Sequence, residues 1–142
     1  MKKAIIIYGS STGNTETAAK MIQDNLSGYD VTLMDARDAY ADAVFDSDLV
    51  IYGSSTWGYG ELQDDFQEYC DNEMHKEILD GKNVAVFGCG DKESFEDVFC
   101  NAVDTIVDKV ISCGGHLVVE RLKINGDPSD NEAEIIDFAH KL

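Results

Sequence analysis

The chain has 142 residues, one proline and four cysteines, and its 28 acidic against 11 basic side chains give a formal charge of −17. That length suits one domain burying about two-thirds of its unfolded surface, while the charge makes nucleic acid and anionic membrane surfaces poor partners and a basic-faced protein a good one. No apolar run nears the ~20 residues of a membrane span, and the stretch behind Met1-Lys2-Lys3 stops at Tyr8, short of the ~7–15 residues of a secretory core, so a cytoplasmic protein is expected.

Residues 4–8 form a short, Ile-rich apolar run, which reads as a buried strand. It empties into Tyr8-Gly9-Ser10-Ser11-Thr12-Gly13-Asn14-Thr15-Glu16. Hydroxyls and amides crowd around two glycines there, where a following helix presents unpaired N–H groups and the positive end of its dipole. This is an anion pocket suited to phosphate, although an ordinary capped strand-to-helix loop draws on the same residue types. A nucleotide P-loop would need lysine after its second glycine, but Asn14 follows Gly13 and the next lysine is Lys20. The dinucleotide pattern of three glycines is also missing.

Ala18, Met21, Ile22 and Leu26 then share one helical face. Apolar runs at 31–34, 49–52, 84–87 and 117–119 read as further strands, and their near-continuous apolar character suits burial on both faces. Phe99, Ala102, Val103, Ile106, Val107 and Val110 follow helical spacing, as do Ile135, Phe138, Ala139 and Leu142, and Cys113-Gly114-Gly115 is a helix stop. Alternating strands and helices predict an α/β fold, one domain over residues 1–142, with a doubly wound five-stranded parallel sheet and helices on both faces. Ligands of such sheets bind beyond the C-terminal strand ends, so the loops after the first, third and fourth strands are the ones to inspect.

The second of these loops, Gly53-Ser54-Ser55-Thr56-Trp57-Gly58-Tyr59-Gly60-Glu61-Leu62, carries the only tryptophan of the chain. An aromatic among such small residues is poorly explained by packing and well explained by stacking on a flat ligand. In the third, which starts Gly88-Cys89-Gly90-Asp91, the glycines let the backbone approach a ligand closely. Together the three loops fit a mononucleotide with a large planar base. The cysteines form no metal-binding or redox spacing and read as buried free thiols, and His75, His116 and His140 are scattered, so no metal is expected.

At this level the chain resembles the flavodoxins, of the short-chain type. Ser10-Ser11-Thr12-Gly13-Asn14-Thr15-Glu16 is similar to their phosphate loop; Ser55-Thr56-Trp57-Gly58 with Glu61-Leu62-Gln63-Asp64-Asp65-Phe66 is similar to their second flavin loop. Gly88-Cys89-Gly90-Asp91 with Phe99-Cys100 and Ala102-Val103-Asp104 is similar to the third. The resemblance, and not the residue pattern, supplies the strand order 2-1-3-4-5 and FMN as cofactor. It implies that Ser10, Ser11, Thr12, Gly13, Asn14 and Thr15 hold the FMN phosphate, that Ser54, Ser55 and Thr56 lie along the ribityl chain, and that Trp57 covers the inner flavin face. The Gly58 backbone would face flavin N5 beside Tyr59 and Gly60. Cys89, Gly90, Asp91, Phe95, Phe99 and Cys100 would form the third wall, with backbone N–H groups of Asp91 and Cys100 on the pyrimidine edge. Two departures stand out. The third loop is longer than in the common short-chain form and lacks a tyrosine for the outer flavin face, leaving Phe95 or Tyr59 for that role, and the second loop is shorter.

The implied function is a low-potential one-electron carrier between redox proteins, not a substrate-converting enzyme. Glu61, Asp64, Asp65, Glu68, Asp91, Glu93, Glu96 and Asp97 flank the two flavin loops with Lys92 as the only base near them in sequence, so a second electron on the flavin should be disfavoured. A non-redox FMN-binding or flavin-delivery module is the alternative. A signalling receiver domain is weak because Tyr8-Gly9 and Tyr52-Gly53 stand where its aspartates belong, and a small phosphatase lacks its Cys-x-x-x-x-x-Arg.

Overall fold

The computed structural model describes residues 2–10, 13–57, 61–90 and 100–142, with Trp57 and Glu61 through their backbone alone. The chain runs β1 (Lys2–Gly9), α1 (Asn14–Asn25), β2 (Tyr29–Asp35), α2 (Ala41–Phe45), β3 (Leu49–Trp57), β4 (Glu61–Leu62), α3 (Asp64–Glu73), α4 (Lys76–Leu79), β5 (Asn83–Gly90), α5 (Asn101–Ser112), β6 (His116–Leu117), β7 (Leu122–Asn125) and α6 (Glu132–His140). The sheet is ordered β2-β1-β3-β5, with β6 and β7 along the far edge of β5, and all of these pairs are parallel. This is the expected 2-1-3-4-5 order. Sequence order reverses between β1 and β3, which makes the C-terminal ends of those strands the switch point.

Burial explains the order. Residues 4–8, 49–52 and 84–87 of β1, β3 and β5 are buried, as interior strands covered on both faces must be. Strand β2, at the edge, is half-buried along most of its length. One core layer packs Ile5, Ile7, Val50, Tyr52, Val84 and Val86 against α3 and α5, through Phe66, Tyr69, Val103, Ile106 and Val107. The other packs Ala4, Ile6, Ile51, Ala85 and Phe87 against α1 and α6, through Ala18, Ile22, Ile135 and Phe138.

The last strand differs from the expectation of a single run over 117–119. Leu117 pairs with Val84 and Leu122 with Phe87, so the outer chain spends five steps where β5 takes three. The two extra residues are accommodated because an edge strand has no neighbour on its outer side to hold it in register. Helix α5 stops where expected, with Gly114 at φ 84° and the Gly115 N–H donating to Val110 O at 3.0 Å. All four cysteines are free and buried, the three histidines are exposed, and among the described residues no helix is long and apolar enough to cross a membrane.

Candidate functional site

Strand β1 ends at Gly9, and the chain then turns into α1 through a cap at Gly13 in the left-handed region, φ 95°, where glycine carries little steric penalty. Ser10 Oγ accepts the Gly13 N–H at 3.0 Å, and Thr17 Oγ1 donates to Gly13 O at 2.9 Å, which fixes the turn. Asn14 and Thr15 open the helix, whose N-terminus has no side-chain cap. Thr15 Oγ1 is fully buried, and its one hydrogen-bonding neighbour is the weakly bonding thiol of Cys89. Next to it, burial pushes the Cys89 thiol up to about 11, opposed by an interaction with the Thr15 hydroxyl.

The second loop is a hairpin. Thr56 and Trp57 at the end of β3 pair antiparallel with Leu62 and Glu61. Ser54 is completely buried; its hydroxyl donates to Ser55 O at 2.9 Å and accepts from the Gln63 N–H at 3.1 Å. Ser55 is buried beside it. Thr56 Oγ1 accepts the Ala102 N–H at 3.2 Å and so ties the hairpin to the start of α5.

Cys89 and Gly90 end β5. Cys100 caps α5 in the left-handed region, φ 50°, the only non-glycine among the described residues with positive φ. Such a conformation costs a residue with a side chain on the order of 1 kcal/mol and recurs at functional sites. Its thiol lies 3.7 Å from Gly88 O and 3.6 Å from Ile124 O, and burial pushes it up to about 12.

Ser10, Gly13, Asn14, Thr15, Ser54, Ser55, Thr56, Cys89, Gly90 and Cys100 therefore gather at the C-terminal ends of β1, β3 and β5, as expected. Ser11, Thr12, Gly58, Tyr59, Gly60, Asp91, Phe95 and Phe99 lie outside the described residues, as do Lys92, Glu93, Glu96 and Asp97, and so does the choice between Phe95 and Tyr59.

The sequence reading missed one residue near the loops and gave another, quoted within the second loop, no role of its own. Arg37, after β2, binds Asp35 through Nε at 3.2 Å and through its terminal nitrogen at 3.1 Å, and lies 3.9 Å from Asp65 on α3. It also lines, with Tyr8, Ser10, Gly13 and Glu16, a cleft of about 670 Å³ beside the phosphate loop. Lys92 is thus not the only base near the flavin loops; Arg37 is far from them in sequence and is brought in by the pairing of β1 with β2. In the same cleft, burial and then Glu16 and Asp35 push the Tyr8 phenol up. The other is Gln63, 3% exposed, whose Oε1 accepts the Phe66 N–H at 3.1 Å and caps α3. Its partners come from three elements, which no local pattern records. Among the described residues no cluster of His, Cys, Asp and Glu could hold a metal ion.

Comparison with known proteins agrees with this geometry. The model of the family described as Flavodoxin matches residues 6–138. A flavodoxin of Maridesulfovibrio salexigens is 43% identical over 137 residues, covering 93% of this chain and 92% of its own. A probable flavodoxin 2 of Bacillus subtilis is 36% identical, covering 100% and 95%. The crystal structure of oxidised flavodoxin 2 from Bacillus cereus superposes with a TM-score of 0.90 at 35% identity, over 98% of this chain and 96% of that one. Fold, loops and relatives converge: the chain belongs to the flavodoxin family, FMN-carrying proteins that pass electrons between redox partners without converting a substrate.

Proposed function

We propose that this chain holds FMN across the C-terminal ends of β1, β3 and β5, with the phosphate at residues 10–15, the ribityl chain along residues 54–56, and the flavin ring between the second and third loops. The observation that carries the placement is the buried Thr15 Oγ1, with only the weak Cys89 thiol beside it, at a start of α1 that the Gly13 cap residue leaves without a side-chain bond. A buried hydroxyl with no partner costs ~1–3 kcal/mol, a weak thiol offsets only part of that, and free N–H groups at a helix start are natural phosphate donors. A phosphate monoester satisfies both at once. Arg37 does not take over this task, since its guanidinium is held by Asp35.

Bound FMN supplies the electron-transfer chemistry. The chain supplies position and field. Asp64, Asp65 and Glu68 on α3 put negative charge beside the second loop and oppose the gain of a second electron there. A unit charge ~10 Å away contributes roughly 0.4–0.8 kcal/mol at an effective dielectric of about 40–80. Three such charges lower a one-electron potential by on the order of 50–100 mV. Arg37 offsets part of the Asp65 contribution. A Trp57 ring stacked on the flavin, as the family resemblance implies, would exclude water and act in the same direction as the acids.

Its partners are redox proteins, which we propose to present basic docking faces to a chain of charge −17. The same charge opposes self-association, so the chain works as a monomeric single domain, and its four free thiols suit the reducing cytoplasm. Replacing two hydroxyls of the phosphate loop tests the placement. Ser10→Ala with Thr12→Val is expected to weaken FMN by about 100-fold or more, on the scale of two charge-assisted hydrogen bonds, and to leave riboflavin nearly unaffected. Equal losses for FMN and riboflavin would refute it.

A further inference from the structure

Gly9 and Gln63 lie 54 positions apart in the chain and in direct contact in the fold. A Cβ on Gly9 would run into Gln63 Oε1 and would stand 2.8 Å from Phe66 Cβ, so the carboxamide oxygen abuts the stem of the phosphate loop. Gln63 also bonds to the hairpin and to α3. Its backbone N–H reaches Ser54 Oγ at 3.1 Å, and Ser54 is itself the register partner of Gly9 across β1 and β3. Its Nε2 donates to Asp65 Oδ2 at 3.0 Å, its Oε1 accepts from Phe66 N at 3.1 Å, and its carbonyl accepts from Gln67 N at 2.9 Å. Gln63 directly follows β4, the return arm of the hairpin.

One nearly buried side chain therefore stands at the meeting point of the phosphate-loop stem, the hairpin and the first turn of α3. Its shape matters on one side and its polarity on the other. Against Gly9 there is no room for a methyl group. Toward α3 the amide is held as both donor and acceptor, which fixes its rotamer.

We propose that Gln63 is a positioning residue that sets the distance between the phosphate cradle and the flavin-holding hairpin, and so the length of ligand that can engage both. The inference rests on the FMN placement proposed above. A ligand bound at two places gains from the connection only when the spacing of the two places matches its own length. Gln63 governs that match. Phosphate alone meets only the cradle and riboflavin meets only the hairpin side, so neither depends on the spacing.

The test compares three dissociation constants on the apoprotein: FMN, riboflavin and inorganic phosphate. They are measured for the wild type, for Gln63→Met, which keeps the length of the side chain and loses its amide, and for Gly9→Ala, which pushes on the carboxamide from the other side. Thermal melts confirm that each variant is folded, and either variant alone suffices if the other is not. The expected result is a loss of at least tenfold for FMN with less than a twofold change for riboflavin and for phosphate. A parallel loss of all three ligands would make Gln63 a merely structural residue, and an unchanged FMN constant would remove it from the site; each overturns the proposal. If the wild type itself failed to bind FMN more tightly than riboflavin, the placement would fall first, which separates the two failures.

Discussion

At the N-terminal ends of the strands the chain closes its own polar groups. Lys82 Nζ donates to Phe45 O and Ser47 O at 2.6 Å each and sits over the Phe45 ring; Lys3 and Asp48 exchange two hydrogen bonds at 2.8 Å; Gly81 and His116 donate N–H groups to Gly114 O and Lys82 O. At the C-terminal ends the accounting is open. Thr15 Oγ1 is buried with only the weak Cys89 thiol as a partner, and Cys100 is held in a left-handed conformation. Among the described residues the departures from local rules lie at the C-terminal strand ends, where FMN is proposed to bind.

Substitutions at the two ends should therefore differ in kind. The largest effect is expected for Gly88→Ala at the open end, because the new methyl would lie 2.5 Å from Ser54 O, a backbone atom, and 2.5 Å from Val103 Cγ2. Overpacking of this kind costs about 3 kcal/mol, and urea denaturation should show it together with loss of FMN. Between the ends, Tyr52 and Tyr69 share a buried hydroxyl pair at 3.2 Å. Tyr52→Phe strands the Tyr69 hydroxyl at roughly 1–3 kcal/mol, whereas the double variant with Tyr69→Phe should recover most of the loss.

At the closed end, Lys82→Met should cost about 1 kcal/mol and leave the FMN dissociation constant unchanged. Thr15→Val should do the reverse. Removing a poorly satisfied hydroxyl raises the melting point of the apoprotein by the equivalent of about 1 kcal/mol, while FMN binding weakens. If Thr15→Val destabilised the apoprotein, the contrast between the ends would be broken.

The smallest effect concerns pH. Burial works to raise Asp104, at the start of α5, but Lys123 and Arg121 outweigh it and hold the carboxyl below its ordinary value of 3.8. A carboxyl lowered in the folded state contributes stability that is present above its unfolded pKa and lost as pH falls through the folded one. Asp104→Asn should therefore lower stability at neutral pH and flatten its decline below about pH 4. An unchanged acid limb in pH-dependent melts would show that the triad is not coupled to folding.

Much of this architecture was legible in the sequence because its signals are local. The continuous apolar runs of β1, β3 and β5, the spacing of Val103, Ile106, Val107 and Val110 in α5, and the glycine stop after Cys113 each sit within one window of chain. The helices α2 and α4, of five and four residues, were too short to show a period. The break in the last strand was hidden because Leu117 and Val119 look alike as an apolar pair; the freedom of an edge, not composition, decides where pairing resumes. The loops announced themselves through hydroxyls, glycines and one tryptophan. Arg37 did not, and Gln63 showed only as a member of the second-loop motif, because the sheet brings Asp65 to the one and Ser54 and Gly9 to the other from elsewhere.

The central claim is that the open end holds FMN and disfavours its second electron. Potentiometric reduction of the purified protein with bound FMN tests it most directly. Two separated one-electron steps, the second at a potential below that of free FMN, are the predicted result; a second step at or above the free value would contradict the account.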